Sequence, residues 1–242
     1  MKIKINNINI NYEDYGKKTG NALVYLHGWG QNIEMMKPIA EPFKNTNRII
    51  IIDLPGFGQS DKPDEVWSVY DYVEIINEFL KKIKVENPIM IGHSFGGKLT
   101  LLYASKYKCE KIILLASPFK VLIKKLSFKT KILKGLKKVP ILNKLENFAK
   151  KHIGSTDYKN ADPLMRKIMT NHINLDISEE VKKIKCSSLI IWGENDLEVP
   201  MQHAYDLEKL IEDSGVVMLE NSTHYAYLEN LNLIINVFKN FI

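Results

Sequence analysis

A serine near the middle of the chain lies at an abrupt turn between a predicted strand and a predicted helix. The apolar run from Ile89 to Ile91 is typical of a short buried strand. The residues that follow, Gly92-His93-Ser94-Phe95-Gly96, match the pattern G-x-S-x-G, and apolar residues then recur at helical spacing. Glycines on both sides of a serine permit a sharp turn that exposes its hydroxyl above the sheet. Ser94 is therefore a candidate nucleophile.

A serine hydroxyl is a poor nucleophile unless a base takes its proton, and that base is usually a histidine oriented by a carboxylate. Four histidines follow Ser94 in the sequence. His152 and His172 fall in a segment with no predicted strand, and His203 falls within a predicted helix. His224 lies in a loop that follows a predicted strand and opens a helix, which favours it as the base.

The carboxylate that would orient the base has three candidates in one loop. Residues 192–200 directly follow a predicted strand and contain Glu194, Asp196 and Glu198. The carboxyl ends of parallel strands meet at one edge of a sheet, so this loop and the loop of His224 can converge there. The residues alone leave the choice among the three carboxylates open.

The elements that must position these residues alternate between strand and helix. Strands are predicted at 2–5, 8–15, 22–26, 48–52, 89–91, 111–115, 188–192 and 216–219. Helices are predicted at 32–44, at 68–83, after Ser94, at 202–213 and at 226–241. The alternation indicates a mostly parallel sheet covered by helices on both faces. It breaks at residues 119–180, where only helical patterns occur.

These features together resemble the α/β-hydrolase family. Besides the turn at Ser94, residues 27–30 (His-Gly-Trp-Gly) resemble the family's HGxG loop, and residues 53–60 resemble its D-x-x-G-x-G-x-S loop, a structural turn. The resemblance implies an eight-stranded, mostly parallel sheet with helices on both faces and a helical lid inserted after strand 6. The implied core is 1–117 with 181–242, and the implied lid is 118–180.

The resemblance also assigns roles to residues. The family places the acid three residues after the glycine of its loop, which selects Asp196, and it places the histidine last, which matches His224. The backbone N–H groups of Trp29 and Phe95 would hold the oxyanion, and Trp29 could also form a wall of the pocket. His93 is expected to be a packed neighbour, not a second base. No cofactor and no metal is expected.

The reaction that these roles imply is cleavage of a carboxylic ester through an acyl-enzyme. The alternatives are a thioesterase or acyltransferase acting on an acyl-carrier substrate, and a C–C bond hydrolase. From another class, the chain could be a non-catalytic receptor that binds a ligand with the same fold. A haloalkane dehalogenase is disfavoured, because Ser94 stands where that family needs an aspartate.

Composition limits the class of protein. The 242 residues are 45% hydrophobic, which is enough for one large core, and no apolar run is long enough for a signal peptide or a membrane span. The two cysteines, Cys109 and Cys186, have no metal-ligand spacing, so we expect free thiols, at the end of the sheet opposite the site, in a cytoplasmic protein. Arg48 and Arg166 are the only arginines, which argues against nucleic-acid binding.

The positive charge is concentrated in the predicted lid. Residues 120–151 contain eleven lysines and one acidic residue, a net charge of +10 within a chain whose formal charge is +6. Their apolar residues fall roughly on one helical face. Three interpretations remain open: the lysines keep the outer face soluble, they dock an acidic carrier protein, or they bind an anionic surface. The expected substrate is a small-molecule acyl ester.

Overall fold

The computed structural model describes residues 1–121 and 162–242, and the elements are numbered in chain order over these residues. The strands are β1 (Lys2–Ile5), β2 (Ile8–Gly16), β3 (Leu23–Leu26), β4 (Arg48–Ile52), β5 (Ile89–His93), β6 (Lys111–Leu115), β7 (Ser187–Gly193) and β8 (Ser214–Leu219). The α-helices are α1 (Lys37–Ala40), α2 (Val69–Lys82), α3 (Phe95–Lys106), α4 (Pro163–Ile173), α5 (Ser178–Val181), α6 (Gln202–Leu210), α7 (Ala226–Glu229) and α8 (Leu231–Phe241). The predicted lysine-rich helices of the lid lie almost entirely outside the described residues.

The eight strands form one sheet in the order β1-β2-β4-β3-β5-β6-β7-β8. The pairs β1–β2 and β2–β4 are antiparallel, and all the other pairs are parallel. This confirms the predicted eight-stranded, mostly parallel sheet. Because β3, β5, β7 and β8 run in one direction, the loops that follow them meet at one edge, and these loops together with the first residue of α3 carry all five predicted site residues.

Alternate residues of the parallel strands pack into two cores, one on each face of the sheet. On one face, Val24 and Leu26 of β3 pack with residues of α2, α3 and α6. On the other face, Leu23 and Tyr25 pack with residues of α1 and α8. Strands covered on both faces contain nearly continuous apolar residues, which is why the sequence predicts them as buried runs.

The structure differs from the predicted helix at 32–44. Short 3₁₀ turns at Ile33–Met35 and Glu41–Phe43 flank the four-residue helix α1. Pro38 is the second residue of α1, and Pro42 is the second residue of the turn at Glu41–Phe43. Proline has no backbone N–H and its ring clashes with the preceding turn of a helix, so a continuous helix cannot pass through both positions. The apolar spacing alone does not carry this information.

The two cysteines are free thiols. They precede β6 and β7, whose residues Lys111 and Ser187 are aligned in the sheet, and both therefore lie at the end opposite the loop of Ser94. Burial raises the pKa of the Cys186 thiol to about 11. In the described residues no helix combines the length and apolarity that crossing a membrane requires.

Candidate active site

Ser94 occupies a strained turn between β5 and α3. Its φ of 51° and ψ of −111° lie in a region that residues with a side chain rarely adopt. The Ser94 N–H donates to the Leu115 carbonyl at 2.9 Å, which ties the turn to β6. A Cβ atom at Gly96 would lie 2.3 Å from the Leu26 carbonyl oxygen, and one at Gly92 would lie 2.4 Å from that of Gly96. Only glycine fits at these two positions, so the pattern G-x-S-x-G is a packing requirement of this turn.

The structure brings His224 and Asp196 together. His224 Nδ1 lies 2.7 Å from Asp196 Oδ2, and both residues are buried. The other carboxylate oxygen, Oδ1, accepts the backbone N–H groups of Glu198 and Val199 at 2.8 and 2.9 Å. A carboxylate held in this way directs the Nδ1–H tautomer of the imidazole, and Nε2 is then left unprotonated and able to take a proton.

Neighbouring loops at the ends of β7 and β8 explain this contact. The Asn195 N–H donates to the Ser222 carbonyl at 2.8 Å, and the Trp192 indole N–H donates to the Val199 carbonyl at 3.0 Å. The other two carboxylates of the loop, Glu194 and Glu198, are exposed. Among the three candidates, Asp196 is the one whose side chain is in contact with the histidine.

The predicted oxyanion donors lie on two segments in contact with each other. The Gly96 N–H donates to the His27 carbonyl at 3.1 Å, which fastens the loop after β3 to the first turn of α3. The Trp29 ring packs edge-on against the Phe95 ring, with 5.2 Å between centroids. Within residues 1–121 and 162–242, neither the Trp29 N–H nor the Phe95 N–H donates to another group. The Phe95 N–H also belongs to a helix N-terminus, where negative charge is stabilised.

His27 holds the loop after β3 in place. Its Nδ1–H donates to the Gly28 carbonyl at 2.7 Å, and its Nε2 accepts the Leu54 N–H at 3.0 Å. Burial lowers the pKa of His27 to about 4. The residue is therefore neutral near pH 7, and both of its ring nitrogens are hydrogen-bonded to backbone groups. Its role is to hold the loop in place and not to react.

Asp53, which precedes Ser94 in the sequence, has the structural role expected of it. Its Oδ1 accepts the Ile33 N–H at 2.8 Å, and its Oδ2 accepts the Gln59 N–H and the Asn11 side-chain amide, both at 2.8 Å. These three hydrogen bonds join β2 to the loops after β3 and β4. With both oxygens occupied by donors, the carboxylate organises the loops around the site.

The structure also places near the site two groups to which the sequence analysis assigned no role, His172 and Lys98. The His172 ring lies parallel to the Trp29 ring, with 6.4 Å between centroids, and edge-on to Phe95 at 4.6 Å. Its buried Nδ1 has no hydrogen-bond partner among the described residues. The Lys98 ammonium, also buried, donates to the carbonyl oxygens of His172 and Leu175 at 2.8 and 2.6 Å. The sequence feature that could have indicated this contact is the position of Lys98 among apolar residues on a buried helix.

Comparison with known proteins identifies the family. The family described as alpha/beta hydrolase fold matches residues 21–155, and the chain belongs to this family. The AB hydrolase superfamily protein YisY of Bacillus subtilis is 28% identical, over 94% of this chain and 94% of its own length. A proline iminopeptidase of Saccharolobus solfataricus is 29% identical, over 99% of this chain and 90% of its own. The solved enol-lactonase of Burkholderia xenovorans shares the fold, with a TM-score of 0.78 and 16% identity over 100% of this chain and 99% of that one.

Proposed function

We propose that this chain is a serine hydrolase that cleaves carboxylic esters and that its substrate is a small-molecule acyl ester. The observation that carries the proposal is the 2.7 Å contact between His224 and Asp196, at the edge of the sheet where Ser94 is held in its strained turn. The named relatives add support, because an enol-lactonase and an iminopeptidase both act on acyl compounds. An ester is favoured over an amide because an alkoxide is a better leaving group than the corresponding nitrogen anion.

In the proposed reaction Ser94 Oγ attacks the ester carbonyl while His224 Nε2 takes the hydroxyl proton. Asp196 stabilises the imidazolium that forms, and the Trp29 and Phe95 N–H groups stabilise the oxyanion. Collapse of the tetrahedral intermediate breaks the C–O bond, and His224 returns the proton to the alcohol. Water then attacks the acyl-enzyme with His224 again as the base, which releases the acid and restores the serine.

We further propose that residues 118–180 form a cap over this site and that the core consists of 1–117 and 181–242. The described part of that segment supports the proposal. His172 of α4 packs on Trp29, and Asp162 pairs with Lys62 at 2.6 Å. The free thiols are compatible with our further proposal that the protein acts in the reducing cytoplasm.

The test is labelling by a fluorophosphonate probe, which reacts covalently with an activated serine. We expect one probe molecule per chain, attached to the peptide that contains Ser94. The variant S94A should lose labelling, and its kcat for p-nitrophenyl acetate should fall by several orders of magnitude. S105A is the matched control, because Ser105 lies on the same helix and donates only to the Leu102 carbonyl; it should label normally.

The outcomes separate the proposed function from its alternatives. Labelling of Ser94 without turnover of any p-nitrophenyl ester would favour a binding protein that keeps an activated serine. A preference for acyl thioesters, or transfer of the acyl group to an added alcohol, would indicate a thioesterase or an acyltransferase. Unchanged ester hydrolysis by S94A would reject the proposal.

A further inference from the structure

His93, the residue before Ser94, connects two loops of the candidate site. Its ring is fully buried. Nε2 lies 3.0 Å from the backbone carbonyl oxygen of His224, and Nδ1 lies 3.2 Å from Oε1 of Gln31. The same Oε1 accepts the Gly28 N–H at 2.9 Å. One imidazole therefore contacts both the backbone that carries the proposed base and the loop that carries the proposed oxyanion donor.

The two contacts of His93 compete for one proton. A carbonyl oxygen and an amide oxygen are both acceptors, so each contact needs an N–H on the ring, and a neutral imidazole has only one. A doubly protonated ring would satisfy both contacts. Burial, together with the neighbouring His224, lowers the pKa of His93 well below its usual range, so the ring is neutral near pH 7.

Chemistry decides where the single proton lies. The His224 carbonyl is part of the main chain and can only accept, so an unprotonated Nε2 at 3.0 Å would repel it. A half-turn of the Gln31 amide about its last bond would present an N–H to Nδ1 and give up the Gly28 bond, whereas the His224 carbonyl has no donor to offer in any orientation. The shorter contact is also the one to the carbonyl. The proton therefore belongs on Nε2.

We propose that His93 is a positioning residue for the base: its Nε2–H donates to the His224 carbonyl and fixes the backbone that carries the catalytic imidazole. This inference rests on the proposed function. His93 ends β5 directly before Ser94, so the hydrogen bond ties the backbone of His224 to the strand end that leads into the Ser94 turn. The ring centroids of His93 and His224 lie 4.7 Å apart, which leaves the imidazole of His224 free for Asp196.

Two amide substitutions separate the two contacts. The side-chain nitrogen of glutamine reaches the place of Nε2, whereas that of asparagine reaches the place of Nδ1. H93N should lower kcat for p-nitrophenyl acetate about 10- to 100-fold, with KM changed less than twofold, because a displaced base affects the reaction more than binding. H93Q should restore kcat to within about threefold of the unchanged protein. Equal losses in both variants, or no loss in H93N, would overturn the proposal.

A second measurement uses the unchanged protein, so the test stands even where a variant fails to fold. Histidine labelled with ¹⁵N in the ring, assigned by couplings from its backbone, reports which nitrogen carries the proton. We expect His93 to remain the Nε2–H tautomer from pH 6 to 9. A proton on Nδ1, or a doubly protonated ring, would overturn the proposal.

The two proposals fail in different ways. Absence of fluorophosphonate labelling in the unchanged protein would reject the serine hydrolase itself. Normal labelling at Ser94, combined with equal kcat values for H93N and H93Q, would reject only the positioning role of His93. The labelling rates of both variants, measured with the same probe, give this comparison without any choice of ester.

Discussion

The ammonium group of Lys98 donates to the carbonyl oxygen of His172 at a distance of 2.8 Å, which joins α3 to the end of α4. A second bond reaches Leu175 at 2.6 Å. The last carbonyls of a helix have no partner within it, and a cation there both donates to them and opposes the negative end of the helix dipole. Burial lowers the pKa of Lys98 to about 8, so the side chain is mostly charged at pH 7. Lys98 thereby holds the His172 ring against Trp29.

Replacing Lys98 by methionine should loosen α4. The variant removes the charged donor that joins the carbonyl oxygens of His172 and Leu175 to α3, at a cost of about 1–3 kcal/mol in the free energy of local opening. Hydrogen–deuterium exchange of residues 163–175 should then become about tenfold faster or more. Lys106→Met is the control, because Lys106 lies on the same helix in an exposed pair with Glu74; exposed pairs contribute little. Equal exchange in the two variants would contradict the capping role.

Asp196→Asn should keep the shape of the loop and lose most of the activity. An amide can present its N–H₂ to His224 Nδ1, which favours the wrong tautomer, and we expect kcat to fall about 10³- to 10⁴-fold. Glu194→Gln is the matched control in the same loop, since Glu194 is exposed and is expected to have no effect beyond twofold. Comparable losses in both variants would point to a general disturbance of the loop.

Stability should decrease as the pH falls from about 6.5 to about 4, in part because of His27. Burial lowers the pKa of His27 from its ordinary 6.5 to about 4, so between these values the unfolded chain binds a proton that the folded chain does not. The contribution of a neutral His27 to the free energy of unfolding is therefore complete above pH 6.5. It falls by about 3 kcal/mol as the pH decreases to about 4.

Two variants test this titration by urea unfolding at pH 7, 6 and 5. H27Q and H27N both remove the titrating ring, so the free energy of unfolding should fall less steeply with decreasing pH in both. At pH 7 we expect H27Q to be the more stable of the two, because its side-chain oxygen can still accept the Leu54 N–H. A slope equal to that of the unchanged protein in both variants would show that His27 does not titrate as stated.

The sequence predicted the sheet well because burial on both faces leaves a simple pattern. Runs such as Arg48 to Ile52 and Lys111 to Leu115 are strands with the predicted bounds. The helix predicted at 68–83 is α2, whose first turn is capped by Ser68 and Asp71. The approach of the loops of Asp196 and His224 also follows from the sequence, because it requires only that two parallel strands be neighbours.

Contacts between a side chain and a distant backbone group could not be predicted in this way. Lys98 and His172 are 74 residues apart, and His93 and His224 are 131 apart. Neither pair creates a period in the sequence, and each depends on where a particular carbonyl points after the chain has folded. Lysine also has a strong tendency to be exposed, and burial overrides it here only because two carbonyl oxygens accept its protons.

Gly58 and Gly20 allow crowding at Asp53 to be separated from backbone strain. Both glycines have positive φ, +54° and +88°. A Cβ atom at Gly58 would lie 2.2 Å from the carboxyl carbon of Asp53, whereas one at Gly20 would have no atom within 4 Å. G20A should therefore cost only the strain of the left-handed backbone, about 1–2 kcal/mol.

G58A should cost more, about 2–4 kcal/mol, because the added methyl group displaces a carboxylate that holds Ile33, Gln59 and Asn11. Urea unfolding of both variants at pH 7 gives the two free energies, and their difference is the contribution of crowding at Asp53. Because Asp53 connects the loops after β3 and β4, G58A should also slow labelling of Ser94 by the fluorophosphonate, while G20A should not. If the two variants lose equal stability and label equally fast, Asp53 does not organise the loops around the site. The D-x-x-G-x-G-x-S pattern would then indicate a local turn and nothing more.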